Sequence, residues 1–279
     1  MDWFKSKILA KLFLTTTEWN VAWKEEDATL YNVIDNPKGY WLADSLLFEN
    51  EKGKFLFVEA FEKKTGLGRI GVLEFNGVEF ANFRVVLERP YHLSYPYVFE
   101  YNNKYYLIPE SSANRTVELY QAVDFPTKWE KVGPLLNGNY VDTSLYQLNG
   151  SKFYIYTYNM DDYVMVSAVL DMHDKSINII SEVQDLDYLK RAGGNIFEKD
   201  NHKYRALQNN TFFYGQSLTI VDCETCRTYE TILPEEIKCT SGKTFRRIHT
   251  YSKINGYEAI DLSDYRFNVF KVIEKLRKN

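Results

Sequence analysis

Asp44, Glu110 and Asp142 are the residues of this 279-residue chain whose type suits chemistry at a glycosidic carbon. Such chemistry takes one carboxylate as base or nucleophile and a second, with a raised pKa, as acid; a third orients or adjusts them. On that reading Asp44 and Asp142 are the base or nucleophile and its partner, and Glu110 is the acid. Arg115 and Arg191 can hold a phosphate or carboxylate through paired N–H donors, while His92, Tyr95, Gln208 and His249 can contact sugar hydroxyls or faces. These residues are far apart in sequence, so they form a site only if the fold collects them.

A repeat supplies that fold. Five units begin near residues 40, 91, 140, 191 and 246, and each opens with an aromatic or charged segment followed by alternating apolar residues. Turns at Asn50–Gly53, Asn102-Asn103, Asn149-Gly150, Asp200-Asn201 and Asn255-Gly256 each lead into a second alternating run. Aligning the units places Asp44, Tyr95, Asp142, Gly193 and His249 in one column at intervals of 51, 47, 51 and 56 residues. Phe48, Phe99, Tyr146 and Phe197 fall four positions later. That period suits four-stranded blades and predicts an all-β, five-bladed propeller in which the column converges on the central channel. The run Glu18–Lys24 alternates like a strand and is expected to complete the last blade. No linker interrupts the units, so residues 1–279 read as one domain with an extension over 1–17.

The composition agrees. Aromatic residues make up 16% of the chain, with 45% hydrophobic and 26% charged. That is core material for packed sheets. A formal net charge of -4 gives no electrostatic reason to expect nucleic acid. Three cysteines, an odd number, fit a reducing compartment, so a cytoplasmic location is expected. Cys223, Cys226, Cys239 and His249 could make a zinc site, but their spacings match no standard finger and His249 is wanted at the channel. Free thiols and no metal are therefore expected. Asn114-Arg-Thr fits a glycosylation acceptor, and the compartment argues against its use.

Residues 1–14 interleave Trp3, Phe4, Ile8 and Leu9 with Lys5, Lys7 and Lys11. They are too short to span a bilayer; they suit a short packed helix or extended segment, or a peripheral association at the inner membrane face. The Gly66–Gly71 stretch lacks the lysine and hydroxyl of a phosphate-binding loop, and no nucleophile elbow or dinucleotide fingerprint is present.

Trp41–Phe48, Pro90–Phe99, Ile108–Tyr120, Val141–Leu145, Arg191–Gly194 and His249-Thr250 together resemble the N-terminal domain of glucosamine inositolphosphorylceramide transferases and their bacterial relatives. The Glu110–Tyr120 stretch is the most specific of these. The resemblance implies a five-bladed propeller similar to those of arabinanase- and invertase-type glycosidases, and a carbohydrate context. Two segments depart from the pattern: Ala43-Asp-Ser45 where those glycosidases show Asp-Pro, and Arg191-Ala-Gly-Gly194 where Arg-Pro-Ala-Gly is expected.

The expected function is therefore action on a sugar or glycan during surface glycan or glycolipid biosynthesis. A glycosyltransferase taking an activated sugar, such as a sugar-nucleotide donor, comes first, and partner glycan-assembly enzymes are expected. A glycoside hydrolase using the same carboxylates and a non-catalytic glycan- or partner-binding propeller are the alternatives.

Overall fold

The structure is a computed structural model that describes residues 14–16, 18–184 and 191–267. It is all-β, with five four-stranded antiparallel sheets arranged as the blades of a propeller. From the channel outward, blade one comprises Tyr40–Asn50, Gly53–Glu62, Leu67–Phe75 and Phe80–Leu87. Blade two comprises Ser94–Tyr101, Lys104–Ser111, Thr116–Asp124 and Lys128–Asn137. Blade three runs through Tyr140–Asn149, Lys152–Asn159, Val164–Asp171 and Ser176–Gln184, and blade four through Phe197–Lys199, His202–Asn209, Ser217–Asp222 and Thr228–Ile232.

Blade five joins the two ends of the chain. Tyr251–Ile254 and Tyr257–Leu262 form its inner half, and Asn20–Glu25 with Asn32–Val33 form its outer half. The N-terminal part thus supplies two strands to the closure where the sequence suggested one. Trp23 pairs with Ala259 on one side and Asn32 on the other, so strands from both parts of the chain share one sheet and latch the ring.

 Neither end can leave without opening blade five.

Blades meet through aromatic seams. The column four residues beyond the blade starts does this: Phe48 packs edge-on against Tyr105 of blade two, Phe99 against Phe153 of blade three, and Phe197 against Tyr251 of blade five. Each ring buries apolar area in a geometry that aromatic pairs favour.

Three blade starts share a backbone irregularity that aims their side chains. The strand register slips between Ala43 and Leu46, Ser94 and Tyr97, and Val141 and Ser144. Asp44, Tyr95 and Asp142 sit at these bulges with φ of 49°, 43° and 51°. A bulge redirects a side chain that plain pleating would leave in the wall, and holding a non-glycine residue there costs about 1–3 kcal/mol. Blade four differs: Arg191–Ile196 form no strand, and Gly194 has φ 143°. A Cβ on Gly194 would come within 1.7 Å of the Tyr251 carbonyl oxygen, so the first strand starts only at Phe197. Blade five likewise begins its strand at Tyr251 rather than Arg246.

The glycine-rich stretch belongs to the third strand of blade one. Gly68 donates its N–H to His92 Nδ1, and a Cβ there would meet the Leu93 carbonyl oxygen at 2.3 Å. These glycines admit the chain that enters blade two. Of the extension, Leu14–Thr16 form a strand with Tyr265–Phe267, and the helix or extended segment expected over residues 1–13 lies outside the described residues.

Candidate functional site

Carboxylates of one blade hold the backbone of the next. The Asp261 carboxylate of blade five accepts N–H bonds from His249 (3.0 Å) and Thr250 (2.9 Å) through Oδ1, and from Asp44 of blade one (3.0 Å) through Oδ2. Asp44 Oδ2 accepts the Tyr95 N–H of blade two at 3.0 Å, and Glu110 Oε2 receives the Asp142 N–H of blade three at 3.4 Å. The bulged N–H groups have no ladder partner, and buried donors need one. Capping by these carboxylates, the structural alternative for such residues, is thus part of what they do.

Two ionisable clusters result. In the first, His249 lies between carboxylates, with Nε2 3.2 Å from Asp44 Oδ1 and Nδ1 2.5 Å from Asp261 Oδ2. All three are buried. Burial opposes a charge on His249, but Asp261 and Asp44 outweigh it and raise the imidazole pKa. Asp261 is held below the usual range because His249 and its backbone donors overcome burial, while burial pushes Asp44 well above it. Trp19 covers the imidazole at 4.2 Å, and Tyr214 meets it edge-on at 5.1 Å.

The second cluster is more open. Arg191 donates Nε–H to Asp142 Oδ2 at 2.6 Å, and Gln208 donates to the same oxygen at 3.1 Å. Beside them, Ser112 donates to Glu110 Oε1 at 2.9 Å. Burial first, and Asp142 second, push the Glu110 carboxyl up to about 7, against the pull of Arg191. A carboxyl that exchanges its proton near neutrality, next to a fixed ion pair, is suited to general acid–base work. The Arg191 side chain keeps 23% of its surface exposed and its guanidinium stands 5.8 Å from the Tyr214 ring, so its Nη groups can meet an anionic group.

The turn carrying Ser112 is pinned from behind. Asn114 donates to Glu118 Oε1 at 2.9 Å, and the buried Glu118 carboxylate also takes bonds from Tyr91, Tyr120, Thr116 and Lys131. These donors overcome burial and hold Glu118 down at about 2. The specific stretch from Glu110 to Tyr120 therefore encodes two carboxylates and the turn that joins them.

The other expected site residues fall in different places. Tyr95 is fully buried, and its hydroxyl bonds Ser144 of blade three and both the N–H and carbonyl of Gly194 of blade four. It is a strut across the ring rather than a surface for a ligand. His92 stands beside Glu59 at 3.1 Å and is partly exposed. Arg115 points away from both clusters into an ion pair with Asp161 at 2.7 Å, with 64% of its side chain exposed. The cysteines are not gathered: Cys226 is exposed on the turn after Asp222, and Cys239 is buried beside Tyr31. His249 meanwhile faces Asp44 and Asp261. Among the described residues, Asp44, His249 and Asp261 are the group of three donors close enough to surround a metal ion, with ligand atoms within 4.8 Å of one another.

Sequence reasoning passed over Glu59, Asp261, Trp19 and Tyr214. The first two carry a legible signal. Glu59, Glu110, Gln208 and Asp261 each interrupt the apolar run of a blade's second strand near its end, a second polar column alongside the first. Trp19 immediately precedes Asn20–Glu25, and Tyr214 lies in the loop between His202–Asn209 and Ser217–Asp222; neither belongs to a repeated column, and nothing in their spacing marks them.

The fold is shared with several solved sugar-cleaving enzymes. The structure resembles CoXyl43, a GH43 β-xylosidase/α-arabinofuranosidase from a compost microbial metagenome, with TM-score 0.58 and 11% identity over 88% of this chain and 97% of that one. It also resembles the catalytic domain of Coprinopsis cinerea GH62 α-L-arabinofuranosidase, with TM-score 0.55 and 12% identity over 83% of each. At these identities the likeness concerns the fold alone. The chain belongs to the family described as "Glucosamine inositolphosphorylceramide transferase 1, N-terminal", whose model matches residues 19–246. Proteins named Glucosamine inositolphosphorylceramide transferase 1 are similar to it: that of Oryza sativa subsp. japonica is 32% identical over 134 residues, and that of Arabidopsis thaliana 32% over 112. These matches cover 46% and 39% of this chain but only 18% and 15% of the plant proteins.

Proposed function

We propose that the channel site transfers a glycosyl group from an activated sugar, such as a sugar nucleotide, in the assembly of a glycan or glycolipid. One observation carries this reading: a Glu110 carboxyl that titrates near neutrality stands against the Asp142–Arg191 pair. Glu110 in its ionised form takes the proton of an acceptor hydroxyl as that oxygen bonds to the anomeric carbon. The bond from that carbon to the donor's phosphate oxygen breaks, and the electron pair leaves with the phosphate, whose charge Arg191 meets. Asp142 and Gln208 fix the arginine, and Tyr214 offers a ring face to the sugar. Asp44, whose oxygens already face Tyr95 N–H and His249, positions blades one and two rather than attacking the sugar. The names of the curated relatives agree with transfer to a glycolipid.

The test incubates the full chain with nucleotide sugars, with and without inositolphosphorylceramide as acceptor, and measures nucleotide release. Acceptor-dependent release that Glu110→Gln abolishes supports transfer. Cleavage of a glycoside in water alone would assign hydrolysis, and sugar binding without turnover would assign recognition; either result overturns the proposal.

A further inference from the structure

Blade one carries a group of side chains that the proposed transfer step does not use. Trp41 and Phe61 are register partners on its first two strands, and their half-buried rings stack at 4.4 Å with 10° between the planes. Glu59 lies two residues before Phe61 and pairs with Ala43, so Trp41, Phe61 and Glu59 share one face of the blade, at the end that carries Asp44. His92, on the chain entering blade two, completes the group. Its ring is 6.3 Å from that of Phe61, and its Nε2 is 3.1 Å from Glu59 Oε1. Nδ1 accepts the Gly68 N–H at 2.9 Å, and a Cβ on Gly68 would meet the His92 ring at 2.7 Å and Glu59 Oε1 at 2.8 Å, so the glycine both fixes the imidazole and leaves room for the pair.

The group adjoins the Glu110 site. Asp44 Oδ2 accepts the Tyr95 N–H, and Ser94, the residue before Tyr95, pairs with Glu110. Burial pushes the Asp44 carboxyl up, His249 pulls it down, and Glu59 adds to the push, so Glu59 stands within electrostatic reach of the channel. In ring order, Glu110 of blade two falls between this group and Asp142 of blade three. The Glu59 carboxylate is also underused by the protein: it is 6% exposed, yet Oε1 has no hydrogen-bond partner although the His92 ring stands beside it. A buried carboxylate oxygen left unserved costs free energy. Oε1 is sealed beside His92, which leaves Oε2 as the oxygen a ligand can reach.

We propose that this corner of blades one and two is the acceptor subsite, in which the Trp41–Phe61 stack takes a polyhydroxylated ring, a pyranose or a cyclitol, and Glu59 accepts bonds from its hydroxyls. An aromatic pair offers an apolar surface that suits the C–H face of such a ring, and an ionised carboxylate only accepts hydrogen bonds, which hydroxyls supply. His92 is a positioning residue for Glu59. The ring-binding role stands by itself; the acceptor role rests on the glycosyl-transfer reading. In that reading the donor phosphate meets Arg191 on the side of blades three and four, so the hydroxyl that Glu110 deprotonates arrives from the side of blade one.

Tryptophan fluorescence and saturation-transfer NMR of the full chain test the subsite, with methyl α-glucoside and myo-inositol as probes and cyclohexanol as a ring without the hydroxyl array. At least one of the two polyols should bind, the tighter of them naming the pyranose or the cyclitol as the source, and cyclohexanol should not. Trp41→Ala and the isosteric Glu59→Gln should each weaken that binding at least about tenfold while sugar-nucleotide affinity stays within about twofold, which separates a lost subsite from a lost fold. In acceptor-dependent nucleotide release, both variants should raise the acceptor KM at least about tenfold with kcat within about threefold. If wild type transfers to no acceptor but binds the polyol through Trp41 and Glu59, the ring-binding subsite stands and only its acceptor role falls with the transfer reading. Transfer with an unchanged acceptor KM in both variants, binding of neither polyol by wild type, equal binding of cyclohexanol, or loss of sugar-nucleotide affinity in place of polyol affinity would overturn the inference.

Discussion

Glu110 and Glu118 flank one turn and are driven in opposite directions, the first up to about 7 and the second down to about 2. Glu110 is buried beside the Asp142 carboxylate; Glu118 is met by Lys131, two tyrosine hydroxyls and Asn114. The turn between them, through Ser112 and Asn114, couples the proton-exchanging group to the fixed one.

This opposition gives the two residues opposite pH signatures. Glu110 has a raised folded pKa, so the stability it favours is present below about 4.5 and is lost as pH rises through about 7. Glu110→Gln should flatten that decline, by up to about 3 kcal/mol, in chemical denaturation followed from pH 5 to pH 8. Glu118 has a lowered folded pKa, so its contribution is present above about 4.5 and is lost as pH falls toward about 2. Glu118→Gln should lower stability at neutral pH by about 2–3 kcal/mol and reduce the loss on acidification.

Asp261 serves three backbone N–H groups and one imidazole, and joins blade five to blade one. Asp261→Asn should cost about 3–5 kcal/mol, because it takes from the buried His249 imidazolium the carboxylate nearest to it. His249 contributes stability that is present below about 6.5 and lost as pH rises through its raised folded pKa, and that pH dependence should vanish in His249→Gln. Thermal melts of both variants between pH 5 and pH 9 check these outcomes.

Gly194→Ala should be among the most damaging single changes in the chain, above about 4 kcal/mol. The added Cβ would sit on the Tyr251 carbonyl, and φ 143° is strained for any side chain. Expression as soluble, cooperatively melting protein would contradict this.

Arg115→Ala, in contrast, should leave turnover and sugar binding within about twofold of wild type, since an exposed ion pair such as Arg115–Asp161 contributes little. Arg191→Ala should remove both. Comparing the two variants by sugar-nucleotide titration separates the arginine that meets the site from the one that does not.

The fold was legible because the repeat is local: turn residues, alternating runs and the aromatic column all follow from strand geometry within one blade. Blade five was legible for the same reason, as Glu18–Lys24 alternates like a strand with no partner nearby. The site was legible only in part. Asp44, Asp142 and His249 share a column, but bulges and hydrogen bonds between blades, which no periodicity encodes, decide where their polar atoms go. Tyr95 occupies the same column and is consumed by Gly194, while Arg115, one turn from Glu110, is carried outward by its own φ of 55°. Asp261 went unread because Asp44 lies across a blade boundary, 217 residues away, and His249 precedes the blade's first strand, 12 residues away, so no periodicity ties either to it.

The most direct measurement is the pH dependence of acceptor-dependent nucleotide release by wild type and Glu110→Gln. The account predicts a wild-type profile with a rising limb near pH 7, where Glu110 loses its proton, and the loss of both limb and turnover in the variant. Turnover in Glu110→Gln at the wild-type level, or the same limb persisting there, would contradict it.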